Sequence, residues 1–147
     1  MKAAKRVVEA GYSVAFHFDP LIHYQGWEDD YREVVERIFA AVNEKNIAWI
    51  SLGALRYPPK MKAIIERKFP HSKITLGELE VGEDNKLRYL KPIREELFRT
   101  MFESIRANSR EVYVYLCMEN PEMWRQTAIV NSSANKYARY FKYFRKD

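Results

Sequence analysis

The sequence predicts an α/β domain in which helices and strands alternate along the chain. Of the 147 residues, 47% are apolar, which is enough for one hydrophobic core. The chain is too short for two independent cores. Apolar residues recur at helical spacing, most regularly at positions 31, 34, 35, 38, 39 and 42. Short apolar runs of strand length separate the helical segments, which favours parallel strands joined by right-handed crossovers.

The first half of the chain alternates helix and strand. Gly11 can adopt the left-handed conformation that ends a helix, and Pro58-Pro59 suits the first turn of one. Proline also cannot donate to a sheet ladder, so Asp19-Pro20 should end a strand. The predicted elements are a helix ending at Gly11, a strand over 13–18, a helix from Asp29 or Asp30, a strand over 47–52, and a helix from Pro58 that ends before Pro70.

The second half predicts a β-hairpin and one further crossover. Two extended runs, 74–81 and 86–90, flank the turn-rich tetrapeptide 82–85. A helix from Pro92, a strand over 111–117, a short helix over 121–127 and a last helix follow. We therefore divide the chain into a unit over 1–130, with its hairpin at about 74–91, and a basic amphipathic C-terminal helix over 131–147.

Three strands are too few for a closed barrel. A closed eight-stranded (β/α) barrel takes about 250 residues, and only three predicted strands fit the crossover scheme here. The chain is therefore either part of such a barrel or a small open sheet.

Composition excludes several protein classes. No apolar run approaches the roughly 20 residues of a membrane-spanning helix, and the N-terminus lacks the apolar core of a signal peptide. Cys117 is the only cysteine, which excludes an internal disulfide and a multi-thiolate metal site within one chain. These features favour a soluble, cytoplasmic protein.

The positive charge is concentrated at the C-terminus. The net charge is +5, and residues 136–147 contribute +4 of it, so the other 135 residues contribute only +1. A basic segment on a nearly neutral domain suggests an anionic partner, with nucleic acid before a membrane surface. Lys136, Arg139 and Lys142 are candidate nucleic-acid contacts, and a merely solvated helix is the alternative.

Few residues have the pattern of a catalytic site, and the catalytic residues remain unknown. There is no Gly-rich phosphate loop, no Gly-x-Ser-x-Gly elbow and no Cys-x-x-Cys. His17 and Asp19 lie two apart at a predicted strand end, with His23 beyond the turn. They could form a metal or acid–base site, or else a hydrogen-bonded ring in the sheet and a turn cap. Cys117, at the end of a predicted strand, is expected to be an inert thiol.

The predicted hairpin combines basic and aromatic side chains. Lys86, Arg88, Tyr89 and Lys91 lie together in its second arm. Such a segment could hold a phosphate and stack a base, or could be an ordinary solvated hairpin.

Four segments have a more specific pattern: 10–22 (AGYSVAFHFDPLI), 26–31 (GWEDDY), 51–56 (SLGALR) and 115–119 (YLCME). With the Pro-Pro-Lys start of the third helix, they resemble the spore photoproduct lyase family, radical S-adenosylmethionine enzymes of DNA repair. The resemblance spans roughly residues 2–127 and corresponds to the C-terminal half of a radical S-adenosylmethionine partial TIM barrel.

The resemblance implies cofactors that this chain alone should not assemble. The family binds a [4Fe-4S] cluster through Cys-x-x-x-Cys-x-x-Cys, and one cysteine cannot supply three ligands. S-adenosylmethionine and the cluster are therefore expected only with the missing N-terminal half of the barrel, and none in this fragment. The resemblance places Phe18, Asp19 and Pro20 at the S-adenosylmethionine pocket.

The resemblance also implies DNA as a partner. Lys86, Arg88 and Tyr89 correspond to the family's hairpin that enters damaged duplex DNA. The expected function is therefore the DNA-facing part of an enzyme that repairs UV-induced thymine photoproducts. Two alternatives stay open: a non-catalytic nucleic-acid-binding module, and a radical enzyme acting on another substrate. A half-barrel should also expose strand edges and self-associate.

Overall fold

Two small sheets organise the chain, whose computed structural model describes residues 1–127 and 129. The predicted C-terminal helix over 131–147, with Lys136, Arg139 and Lys142, lies outside the described residues. The elements are α1 (Lys2–Glu9), β1 (Val14–Leu21), α2 (Trp27–Ala41), a 3-10 turn (Glu44–Asn46), β2 (Ile47–Ala54), β3 (Arg56–Tyr57), α3 (Pro59–Lys68), β4 (Leu79–Val81), β5 (Leu87–Tyr89), α4 (Lys91–Asn108), β6 (Val114–Leu116) and α5 (Pro121–Gln126).

The larger sheet is parallel, which confirms the predicted α/β class. Its strand order is β1-β2-β6, so β2 lies in the centre. Phe18 pairs with Leu52, and Leu52 pairs with Leu116. The three described parallel strands do not close into a barrel.

Helices α2 and α4 supply most of the apolar layer that stabilises the sheet. Helix α2 buries Trp27, Val35 and Ile38, in agreement with the helical spacing of its apolar residues. Helix α4 buries Leu97, Phe98, Met101 and Ile105, and these residues form one core with Ile50, Leu52, Val114 and Leu116. Burial of each such side chain contributes about 1.5–3 kcal/mol, so this layer fixes the sheet.

The prediction that β1 ends at Asp19-Pro20 is wrong. The strand continues to Leu21 across a cis Asp19-Pro20 peptide bond, and Leu21 pairs with Ala54 after a register shift. The Leu55 amide donates to the Leu21 carbonyl at 3.0 Å. Proline removes only a donor, and β1 is an edge strand, so the ladder to β2 can resume beyond it.

The hairpin is shorter than predicted. Its first arm, β4, covers Leu79–Val81 instead of 74–81, because the Leu76 amide closes a turn onto the Lys73 carbonyl. Its second arm pairs on the other side with β3, a two-residue strand that no periodicity could indicate. Strand order β3-β5-β4 makes a second, antiparallel sheet.

Two further boundaries differ from the predicted ones. Helix α2 begins at Trp27 instead of Asp29 or Asp30, after Gly26 with a φ of 85°. Strand β6 is limited to Val114–Leu116 within the predicted 111–117. Among the described residues, no helix has the length and apolar character needed to cross a membrane.

Candidate functional site

The parallel sheet has one apolar face and one polar face. Side chains alternate along a strand, so the positions next to buried Phe18, Leu52 and Leu116 belong to the opposite face. That face presents two rows of side chains across the three strands. The first row contains His17, Ser51 and Tyr115. The second, nearer the carboxyl ends of the strands, contains Asp19 and Cys117, with Gly53 and no side chain at the central position.

The first row is a chain of hydrogen bonds across the sheet. Nδ1 of His17 lies 2.5 Å from Oγ of Ser51, and the two residues are direct partners in the β1–β2 register. Tyr115, the partner of Ser51 on β6, also hydrogen-bonds to its side chain. Ser51 is fully buried whereas His17 is exposed, so the row is open to solvent at β1.

An ion pair defines the second row. Both terminal nitrogens of Arg56 donate to the Asp19 carboxylate, at 3.0 and 3.1 Å, which is the bidentate geometry of a strong charge-assisted contact. Arg56 also donates to the Ala54 carbonyl at 3.2 Å and approaches the Cys117 sulfur at 3.7 Å. The guanidinium therefore joins the carboxyl ends of all three strands.

Gly53 makes this arrangement possible. A Cβ at Gly53 would lie 2.7 Å from both Cγ and Oδ1 of Asp19, closer than van der Waals contact allows. The absence of a side chain on the central strand lets the Asp19 carboxylate lie over β2 and reach Arg56. Glycine suits this position because the Asp19 side chain approaches the backbone of β2 closely.

The surroundings raise the pKa of two neighbouring groups. Burial raises the pKa of the Cys117 thiol, and the Asp19 carboxylate raises it further, against the opposing effect of Arg56. Burial also raises the pKa of Tyr115, against its hydrogen bond with Ser51. A protonated thiol is a poor nucleophile, in agreement with the expectation that Cys117 is inert.

The predicted site residues do not all lie together. His23 is remote from the polar rows, with its ring 6.0 Å from Trp27 and 6.3 Å from Tyr89 between centroids. No group of three histidine, cysteine, aspartate or glutamate side chains in the described part of the chain could hold a metal ion. His17 and Asp19 do share a face, so an acid–base role is compatible with those two alone.

The three predicted cofactor residues are separated by the sheet. Asp19 and Pro20 are exposed at the carboxyl edge. The Phe18 ring is buried on the other face, edge-on to Tyr31 at 6.2 Å. A Phe18 side chain in the helix layer cannot line a pocket on the polar face, so only its backbone is available there.

The basic residues of the hairpin are neutralised within the protein. Arg88 pairs with Asp84 at 2.7 Å, and Lys86 lies 3.7 Å from the same carboxylate. Lys91 pairs with Glu122 at 2.5 Å. Because carboxylates of the same protein lie beside them, these side chains attract a DNA phosphate less strongly than their sequence pattern suggests.

Tyr89 is a core residue, which corrects its predicted base-stacking role. It is 2% exposed, and its hydroxyl accepts from the His23 amide at 3.2 Å. Neither face of a buried ring can receive an unstacked base. The basic–aromatic pattern did not predict this burial, because neighbouring residues of a strand face opposite sides of the sheet.

Glu119 joins the hairpin to the main sheet. Its carboxylate lies 2.6 Å from Arg94 of α4 and 3.8 Å from Arg88 of β5, and its side chain is only 4% exposed. Arg94 also donates to Glu80 of β4 at 3.3 Å and to the Tyr89 carbonyl at 2.9 Å. Burial raises the pKa of Glu119, against the lowering effect of both arginines.

Sequence reasoning missed Arg56, Ser51, Tyr115 and Glu119 as site residues. A usable signal existed for Arg56 and Glu119, because each follows an apolar run of strand length, where α/β folds place polar groups. Tyr115 lies inside such a run and gave no signal. Ser51 gave no signal, since a single serine inside an apolar run is indistinguishable from a core residue.

Comparison with known proteins identifies the family of this chain. The model of the family described as spore photoproduct lyase matches residues 1–106. This chain belongs to the spore photoproduct lyase family. The resemblance inferred from the four sequence segments is thereby confirmed.

Individual spore photoproduct lyases are similar over part of the chain. The enzyme of Bacillus subtilis (strain 168) is 31% identical over 80 residues, which are 53% of this chain and 23% of that protein. The enzyme of Geobacillus sp. (strain Y412MC61) is 26% identical over 80 residues, 53% of this chain and 24% of that protein. The matched region is thus about a quarter of each curated relative.

Solved spore photoproduct lyases share the fold. A variant solved with a dinucleoside spore photoproduct superposes with a TM-score of 0.67 and 25% identity, over 79% of this chain and 37% of that one. A second variant, solved with bound AdoMet and the same dinucleoside, gives a TM-score of 0.66 and 24% identity over the same shares.

Proposed function

We propose that this chain is the substrate-facing part of an enzyme that repairs a UV-induced thymine photoproduct in DNA. The observation that carries the proposal is the polar sheet face, where His17 and the Asp19–Arg56 pair lie at the carboxyl side of parallel strands. Ligands of α/β folds bind at that side of a sheet. Solved family members bind a dinucleoside spore photoproduct, and this supports a thymine lesion as the substrate.

The same face supports a place within a larger (β/α) barrel. Helices α2 and α4 pack in the apolar core, while His17 and Asp19 on the edge strand remain exposed on the other face of the sheet. In a (β/α) barrel the helices lie on the outside, and the polar site residues lie at the carboxyl ends of the strands, where Asp19 is found. In the proposed arrangement, further strands from outside this chain complete the barrel. An uncompleted sheet would also self-associate through its open edges.

S-adenosylmethionine fits the charged groups at this edge, whereas an iron–sulfur cluster does not. Arg56 and Asp19 are paired with each other, so a charged group of the cofactor would have to add to this pair, with Pro20 beside it. A family member solved with bound AdoMet supports this assignment. Within the family, this cofactor supplies the radical that starts the repair. The single cysteine of the chain cannot supply a cluster's three thiolates, which must come from elsewhere.

The single cysteine also favours a second candidate function. A nucleic-acid-binding module that uses the same sheet but makes no radical would need no cluster ligands. The coding sequence upstream of the Met1 codon separates the two candidates. A cysteine triplet there, in frame, supports the enzyme, and an in-frame stop directly upstream supports the module.

Lesion preference tests the proposed function directly. We would titrate the 147-residue chain with two duplex oligonucleotides that differ only in one spore photoproduct. We expect tighter binding to the damaged duplex by about tenfold, which corresponds to about 1.4 kcal/mol. His17→Ala should reduce this preference, because His17 is exposed on the polar face.

His71→Ala provides the matched control. His71 is also exposed, but it lies in the loop after α3 and belongs to neither polar row. Equal binding of the wild-type chain to both duplexes would contradict the proposal. Equal effects of the two histidine substitutions would show that the polar face is not the lesion site.

A further inference from the structure

The basic residues of the 58–76 segment are unlike those of the hairpin. This segment contains five basic residues and a single acidic one, a local charge of +4, and helix α3 occupies its first half. The basic residues are Lys60, Lys62, Arg67, Lys68 and Lys73. None of them lies within ion-pair distance of a carboxylate in the described part of the chain.

The one acidic residue is directed away from these cations. Oε1 of Glu66 accepts a hydrogen bond from the hydroxyl of Thr75 at 3.1 Å, and Thr75 is 1% exposed. Burial is the largest cause of the raised pKa of Tyr57, and the Glu66 carboxylate raises that pKa further. Glu66 is exposed, but its carboxylate is held by Thr75 and forms no ion pair with the described cations of α3, so the helix keeps an excess of positive charge.

Helical geometry gathers three of the cations into one exposed stripe. Positions 60, 63, 64, 67 and 68 follow the spacing of a single helix face, and all five residues are exposed. Lys60, Arg67 and Lys68 supply the charge, while Ala63 and Ile64 lie between them. The stripe is about 12 Å long at 1.5 Å per residue, a length over which duplex DNA presents about seven phosphates.

The stripe begins at the same edge as the candidate site. Helix α3 starts at Pro59, two residues after the end of β3, and β3 contains Arg56, the partner of Asp19. A duplex whose lesion reaches Asp19 would therefore have its flanking backbone beside α3. No residue of α3 is fully buried, so the helix can present its outer face freely.

We infer that the exposed stripe of α3 binds the phosphate backbone of the DNA that flanks the lesion. This inference rests on the proposed function and moves the electrostatic contact from the hairpin, whose cations are already paired, to α3. Contacts of this kind provide affinity and orientation without sequence or lesion discrimination.

Salt dependence tests the inference. We would compare the full chain with a triple variant that combines Lys60→Gln, Arg67→Gln and Lys68→Gln, on the damaged and undamaged duplexes. Each phosphate contact contributes about 0.9 to the slope of log K against log salt, so the slope should flatten by up to about 2.7. Affinity should fall equally for both duplexes.

A second triple variant controls for net charge. Lys2→Gln, Lys5→Gln and Arg6→Gln remove the same charge from exposed positions of α1, which precedes the amino end of β1. This variant should keep the wild-type slope to within about half a unit. Lys60→Arg with Lys68→Arg should also keep it, because the charge is retained.

The outcomes separate the inference from the proposed function. Equal flattening by the α1 and α3 variants overturns the inference, whatever the lesion preference. A wild-type chain without lesion preference, whose slope still depends on α3, contradicts the proposed function but supports the phosphate contact. Tighter α3-dependent binding to phosphatidylcholine vesicles with about a third phosphatidylserine than to DNA would overturn the inference in favour of a membrane surface.

Discussion

The close approach of Asp19 to Gly53 allows a sharp test of how the site is built. In Gly53→Ala, the new Cβ would lie 2.7 Å from Oδ1 of Asp19 and 3.0 Å from Oδ2. Arg56 holds those same oxygens at 3.0 and 3.1 Å, so the carboxylate cannot move without weakening its ion pair. The backbone of β2 cannot yield easily either, because β2 is hydrogen-bonded on both sides.

The expected cost follows from three contributions. Overpacking a tight contact costs about 1–3 kcal/mol, and loss of a partly exposed ion pair costs up to about 1 kcal/mol. Replacement of glycine also restricts the unfolded chain and returns about 0.4–1 kcal/mol. From the middle of each range, we expect Gly53→Ala to lower the free energy of unfolding by about 2 kcal/mol, which is about 4–8 °C in Tm for a chain of this size.

A double-mutant cycle measured by urea unfolding identifies the cause. Asp19→Ala removes the atoms that the new Cβ would meet, so the double variant should be more stable than the sum of the two single effects predicts. We expect a coupling free energy of about 1 kcal/mol. Additivity to within about 0.3–0.5 kcal/mol would refute the steric explanation, and so would a Gly53→Ala variant as stable as the wild type.

Three further results are expected. The pH midpoint of Cys117 alkylation should lie above that of a free cysteine, because burial and then the Asp19 carboxylate raise the pKa of the thiol. The midpoint should fall in Asp19→Asn, and an unchanged midpoint would exclude the effect of Asp19. Glu119→Gln should lower the free energy of unfolding by up to about 3 kcal/mol in thermal denaturation, because it leaves buried Arg94 with only its longer contact to Glu80. A cost below about 1 kcal/mol would contradict the structural role of the network. Tyr89→Ala should cost about 3–5 kcal/mol of stability because its ring is in the core; a stable variant with weaker binding to damaged DNA alone would restore the base-stacking role.

The sequence determined the fold class because apolar periodicity is a local property that packing preserves. The apolar face of α2 and the apolar run of β2 predict only that these elements pack in an apolar layer. The structure contains that layer. The quoted segments indicated the family for a similar reason, and three of the four lie within residues 1–106, which the family model matches.

The boundaries near Pro20 and in the hairpin required tertiary information. A proline at a strand end looks the same whether the ladder stops or resumes, and here the pairing of Leu21 with Ala54 decides it. Strand β3 has only two residues, and it exists because β5 pairs with it.

The candidate site was decided almost entirely by tertiary structure. Asp19 and Arg56 are 37 residues apart, and the geometry that joins them depends on a missing side chain at Gly53. The sequence located the hairpin cations but not their partners, so it did not show that these cations are paired within the protein. Among the described residues, carboxylates lie within ion-pair distance of Arg88, and none lies within that distance of Lys68. The sequence determines which charged residues are present, and the fold determines which of them meet.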